Sequence, residues 1–196
     1  MAKEKKSHLS EEELSTITNN IDVVSKFLSS LAPETDRGCA LMAAAFLDHS
    51  LLELLKKNLV KNKRLIDELT GPNQPLGSFS ARIDFAYTLG LIGKSVHRDL
   101  NLIRKIRNDF AHVSEPISFE EDSVQSRCRE LALHTYGPKA KPRRIFTRVV
   151  SSLVAFIHAE TMVSSNPKPK KDFVVTEEFK KNFDGLLKKL EDVLAK

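Results

Sequence analysis

Tryptophan is absent from this chain of 196 residues and tyrosine occurs only 2 times, which argues against an aromatic platform of the RRM or OB type for stacking bases. Cysteine is equally scarce. Cys39 and Cys128 stand in unrelated helical segments with no CxxC or Cys/His ligand spacing, so free structural thiols are expected rather than a metal site or a disulfide, and no cofactor is implied. No run of about 18 apolar residues occurs, so no membrane span is expected. The leading Met1-Ala2-Lys3-Glu4-Lys5-Lys6 lacks the apolar core of a signal peptide, which makes the cytoplasm the expected compartment. The loop at 70–77 has no GxxxxGK[ST] and follows no strand, which excludes a P-loop. Alternation of apolar and polar residues never persists, and Phe173-Val174-Val175 is too short to count as a strand.

What is present is helical periodicity. A hydrophobic content of 41% and a charged content of 29% are those of an ordinary globular chain, long enough for one large domain with an appendage. The expected fold is all-α, a multi-helix bundle of six to eight helices with a C-terminal amphipathic helix after a Pro/Lys linker. Residues 1–9 are expected to be a flexible N-terminus, 10–163 the helical domain, 164–175 the linker and 176–196 a docking helix.

Ser10-Glu11-Glu12-Glu13 reads as a capping box, followed by a helix from about Glu11 to Leu31 with Leu14, Ile17, Ile21, Val24, Phe27, Leu28 and Leu31 on one side. A second helix, about Glu34 to Leu59, carries small residues on several faces and suits the centre of the bundle. Asp48 and His49 interrupt its apolar run, either as a polar edge or helix–helix hydrogen bond, or as part of a ligand pocket. A short helix at 62–69 and another at 78–88 capped by Ser78 come next. Beyond His112, Ser118-Phe119-Glu120-Glu121 is expected to open a helix that runs to Leu133. The final helix, capped by Thr176, sets Phe179, Phe183, Leu186, Leu187, Leu190, Val193 and Leu194 on one side, a stripe that predicts docking on its own bundle or on a second chain.

The densest information lies between Gly71 and His112. Val96, Leu100, Ile103, Ile106 and Phe110 mark a buried stripe, and Arg107 falls only about 40° from its centre. A guanidinium cannot shed its proton, so an inward-facing one calls for a carboxylate, carbonyls, a wet cleft or an anionic ligand. Arg82 reads as a partner of Asp84 or Asp99, or as a second cation beside Arg107 in an anion or ligand pocket that includes His49. His112 sits on another face of the helix from Arg107. The two converge on one ligand only if the helix ends near Ala111 or if two chains each contribute.

Pro75-Leu76-Gly77-Ser78-Phe79-Ser80-Ala81-Arg82, Tyr87-x-Leu89-Gly90-Leu91-Ile92, Asp99-Leu100 and Ile103-Arg104-x-Ile106-Arg107-Asn108-Asp109-Phe110-Ala111-His112 together resemble the signature block of the mannitol operon repressor family. That resemblance implies an all-helical, repressor-like transcriptional regulator acting through a regulatory or phosphotransfer protein, without an obvious helix-turn-helix. The helix after Gly93 carries Arg104 and Lys105 late rather than at its start, unlike a recognition helix.

The tail Arg107-Asn108-x-x-x-His112 is also similar to the end of HEPN helical domains. This second resemblance implies a metal-independent endoribonuclease in which Arg107 binds the scissile phosphate, His112 moves a proton and Asn108 orients them, with sites assembled across a homodimer. The same three residues can instead form a structural lock or a noncatalytic pocket.

A formal net charge of +5 is compatible with nucleic acid without requiring it. Lys139, Lys141, Arg143, Arg144 and Arg148 form the densest basic cluster, open to a solvated face, to weak phosphate contact or to an acidic protein partner.

Overall fold

The computed structural model describes residues 11–112, 117–134, 136–137 and 139–195, without the side chains of 11–19 and 112. Among the described residues there are eight helices and no strand: α1 (Glu11–Leu31), α2 (Asp36–Lys57), α3 (Lys63–Thr70), α4 (Phe79–Thr88), α5 (Lys94–His112), α6 (Asp122–Glu130), α7 (Pro142–Val163) and α8 (Glu177–Leu194). The all-α bundle expected from periodicity is therefore the observed fold. The Ser10 capping box and the N-terminal stretch before it lie outside the described residues.

Local chemistry starts most of these helices. The side chains of Thr35, Asn62, Ser78 and Thr176 each accept a hydrogen bond from a first-turn amide of the following helix, satisfying one of its orphan donors. Pro142 opens α7, where a missing N–H costs nothing. Gly90, at φ 72°, takes the left-handed turn after α4 that lets the Leu91 amide donate back to Ala86.

Helix α2 is the axis of the bundle and packs against α7, α5, α4 and α1. Cys39, Ala40, Ala43 and Ala44 are all buried, and their small size lets neighbouring backbones approach one end of α2; Leu47, Leu51, Leu54 and Leu55 fill the other. By length and apolarity alone α2 and α7 would pass for membrane spans; here α2 and α7 supply much of the core. The α5 stripe is buried as its spacing predicts, from Val96 to Phe110. A row of aromatic rings, Phe110, Phe119 and Phe146 at 5.0 Å centroid spacing, ties α5 to the turn before α6 and to α7.

Two elements differ from the sequence reading. Helix α6 is shorter than the span 118–133, because the amides of Ala132 and Leu133 donate to the buried Asp99 carboxylate at 3.0 Å and so leave the helix. The C-terminal helix forms where its cap and stripe put it, but none of its residues is buried: Phe183 is 49% exposed and Leu190 50%. The docking expected of it is not made in this structure.

Candidate functional site

Arg82 is buried at 8% exposure on the first turns of α4, and all three kinds of guanidinium nitrogen find acceptors. Nη1 donates to Asp48 Oδ1 at 2.8 Å, Nε to the Leu76 carbonyl at 2.8 Å and Nη2 to the Thr70 carbonyl at 3.3 Å. One planar fork thus fastens the loop between α3 and α4 to the middle of α2. The expected partners Asp84 and Asp99 are not used. Asp84 is two residues from Arg82 and so turned about 160° round the helix, where His97 Nε2 meets it at 2.8 Å. Asp99 is fully buried and engaged with Ala132 and Leu133.

His49 follows Asp48 in sequence but turns away from Arg82. It lines a hollow of about 200 Å³ between α1, α2 and α7 with Phe46, Glu53 and His158. Arg82, Arg107 and His49 are therefore not brought into one cavity among the described residues.

Helix α5 runs through to His112, which closes the route to convergence by early helix termination. Five residues apart on a continuing helix, Arg107 and His112 leave the axis about 140° from each other. The His112 side chain lies outside the described residues. Arg107 is half-buried, and its Nη1 donates to Asn108 Oδ1 at 3.0 Å. Among the described residues it has no ion pair; the neighbouring Asp109 is taken by Arg127 of α6. Half-exposure lets Arg107 keep water on its remaining donors, so the carboxylate that full burial would demand is not required. Chemically this end of α5 offers a cation able to hold an anion, with Asn108 steadying it.

The basic cluster divides. Arg143 is a fastener: Nη1 donates to Asp36 Oδ1 at 2.8 Å, and Nη2 to the carbonyls of Leu31 and Glu34 at 3.2 and 2.6 Å, joining α7 to the α1–α2 turn. Asp36 uses its other oxygen to accept from the Phe119 amide at 3.0 Å. Arg144 lies over the Tyr136 ring at 4.8 Å with its charge still exposed, and Lys139, Lys141 and Arg148 are exposed. The exposed surface is thus built from Lys139, Lys141, Arg144 and Arg148.

Beside this surface run two apolar hollows of about 480 and 470 Å³ that meet at Leu28. Ile21, Val24 and Leu28 of α1 line them together with Thr147 and Ala155 of α7. The sequence carried a signal for this groove: the α1 stripe is wider than one contact face can bury, and Ile21 stays 62% exposed while Phe27 is covered. Asp36 and Asp99, the carboxylates that organise most of the polar interior, had no comparable signal, since their partners are remote in the chain.

Both cysteines are buried free thiols; burial raises both, and pushes Cys128 from an ordinary 9.0 up to about 12. Among the described residues no three His, Cys, Asp or Glu side chains converge as a metal site would.

No protein-family model matches this sequence. The mannitol operon repressors of Escherichia coli K12 and of Escherichia coli O6:H1 (strain CFT073) are 26% identical to it over 81 residues, 41% of this chain. The match spans 42% of the length of those curated relatives. In fold, the chain superposes on a chain of the MtlR–HPr complex from Escherichia coli with a TM-score of 0.60 at 20% identity, covering 70% of this chain and 99% of the other. Over that segment the sequence is similar to the mannitol operon repressors, and over most of its length the helical fold is similar to that of the chain in the MtlR–HPr complex.

Proposed function

We propose that this chain regulates a sugar-alcohol operon of the mannitol type by binding a small phosphotransfer protein of the HPr kind, rather than by reading DNA. The observation that carries this reading is the fold likeness, which extends over 99% of a chain solved in complex with HPr. Two features of the molecule support it. The helix that follows a Gly turn, α5, buries its stripe from Val96 to Phe110 in the core, and of the basic groups on its first turns His97 meets Asp84 and Arg98 donates to the Glu130 carbonyl, which leaves Lys94 exposed. The exposed cations Lys139, Lys141, Arg144 and Arg148 lie together around the start of α7, a patch suited to steering a partner with an acidic face. Contact with DNA through the same patch would be weak, salt-sensitive and indifferent to sequence.

The ribonuclease reading of Arg107, Asn108 and His112 gains no support from the described residues. The test is calorimetric titration of the full chain with the host's HPr at low and moderate salt. A saturable complex is expected, weakened by the combined substitutions Lys141→Glu, Arg144→Glu and Arg148→Glu; no complex at either salt concentration overturns the proposal.

A further inference from the structure

An apolar groove left uncovered on the bundle and the uncovered apolar face of α8 belong to the same chain. Helix α1 runs antiparallel to α7: Asn20 Oδ1 lies 2.7 Å from His158 Nδ1 at one end, and Arg143 reaches the Leu31 carbonyl at the other. Between them the groove extends roughly 18 Å along α7, from Arg143 to Ala155. Its floor is the exposed Ile21 and Leu28 with the half-buried Val24 between them, and Lys141 and Arg144 stand at one end. Helix α8, 18 residues long, measures about 27 Å, and its apolar stripe from Phe179 to Leu194 occupies roughly 22 Å of that. The lengths match.

We propose that α8 folds back into the α1/α7 groove of its own bundle, antiparallel to α7. Residues 164–176 leave the end of α7 in extended form and span up to roughly 40 Å, more than enough to reverse direction and enter the groove. Charge sets the orientation. Asp184 and Glu191 border the apolar stripe about 100° to 120° from its centre, and the antiparallel arrangement carries Glu191 and the negative end of the α8 dipole to Arg144 and Arg148. Those cations stand on the first turns of α7, where that helix's own dipole disfavours them. A tether of this length holds α8 near the groove at an effective concentration on the order of millimolar, well above that of a second copy in dilute solution. An anionic lipid surface is the poorer match, because the polar face of α8 balances Lys180, Lys181, Lys188 and Lys189 with Glu177, Glu178, Asp184, Glu191 and Asp192 and carries no cationic surplus.

The absence of tryptophan makes a direct test available. In the full chain carrying Phe183→Trp, emission is expected to be blue-shifted and several-fold less quenched by acrylamide than in the isolated α8 peptide bearing the same substitution, independent of protein concentration. Arg144→Glu or Glu191→Arg alone is expected to restore quenching, and the two together to remove it again, while circular dichroism shows the bundle still folded throughout and any loss of helix or of melting temperature in the single variants is recovered in the double one. Leu28→Asp serves as a second disruption in the groove itself. Water-like emission at every concentration overturns the proposal. So does protection that appears only as concentration rises, which assigns the occupant to a second copy, or only on addition of anionic vesicles, which assigns it to a membrane. None of these readouts uses a phosphotransfer protein, so they stand or fall apart from the regulatory reading.

Discussion

Substituting Arg82 by Met removes the guanidinium while keeping an unbranched side chain of similar length in the same space. Three hydrogen bonds are lost, and Asp48 is left as a carboxylate facing the flank of α4. Breaking one side of a buried ion pair costs about 3–5 kcal/mol. The Asp48 side chain is 29% exposed, so water recovers part of its solvation and a loss of about 2–4 kcal/mol is expected. For a chain of this size that lowers the melting midpoint by roughly 4–16 °C. Arg82→Lys keeps the charge, yet an ammonium is a point donor that cannot serve Asp48, Leu76 and Thr70 together, so about half the loss should remain. Urea melts followed by circular dichroism measure both, and hydrogen exchange should quicken at 70–77 before the rest of the bundle opens. Asp48→Leu combined with Arg82→Met should be more stable than the sum of the single losses, by about 1 kcal/mol or more. If Arg82→Met melts within about 0.5 kcal/mol of the parent, the guanidinium is not a fastener and its assignment to an anion pocket returns.

Asp99→Ala should cost about 2–4 kcal/mol in urea melts, since it deletes an ionised acceptor serving two amides, with Asp99→Asn milder; equal losses would show that the carboxylate charge plays no part. Gly90→Ala, at φ 72° with nothing within 4 Å of the added carbon, should lose about 1 kcal/mol from backbone strain alone. Gly77→Ala should lose more, on the order of 2 kcal/mol, because its Cβ would fall 2.5 Å from the Gly71 carbonyl oxygen and 3.0 Å from that of Gln74; the opposite order in a thermal melt would contradict the loop geometry. The folded state holds the Cys128 proton more tightly than the unfolded state does. Its contribution to stability is therefore complete below an ordinary thiol pKa of 9.0 and lost as pH rises toward about 12. Melts above and below that threshold should show a smaller alkaline loss in Cys128→Ala than in the parent, and the native thiol should resist alkylation near neutrality.

The helices were legible wherever local chemistry decided them. Asn62, Ser78 and Thr176 announce their helices because a cap is a contact three residues long, and the α5 stripe reports burial because its period is that of the helix. What escaped detection was set across the fold. Asp48 and Arg82 are separated by 34 positions, Asp36 and Arg143 by 107, and no local pattern chooses Asp48 over Asp84 or Asp99. The same reason hides the early end of α6, which depends on a carboxylate 33 residues upstream. Within the candidate site, Arg143 looked like one more member of a basic patch and proved to be a fastener. Arg107 looked fully inward and proved half-exposed, because the stripe spacing fixes a direction on the helix but not how close the neighbouring elements come at its end.

Regulation is tested most directly in a cell. A strain deleted for its own mannitol operon repressor, carrying a mannitol-operon reporter and expressing this chain, should show reporter activity reduced several-fold. The Lys141→Glu, Arg144→Glu, Arg148→Glu variant, present at equal abundance, should relieve that reduction. Reporter activity equal to that of the empty strain, with the chain folded and abundant, would contradict a regulatory role.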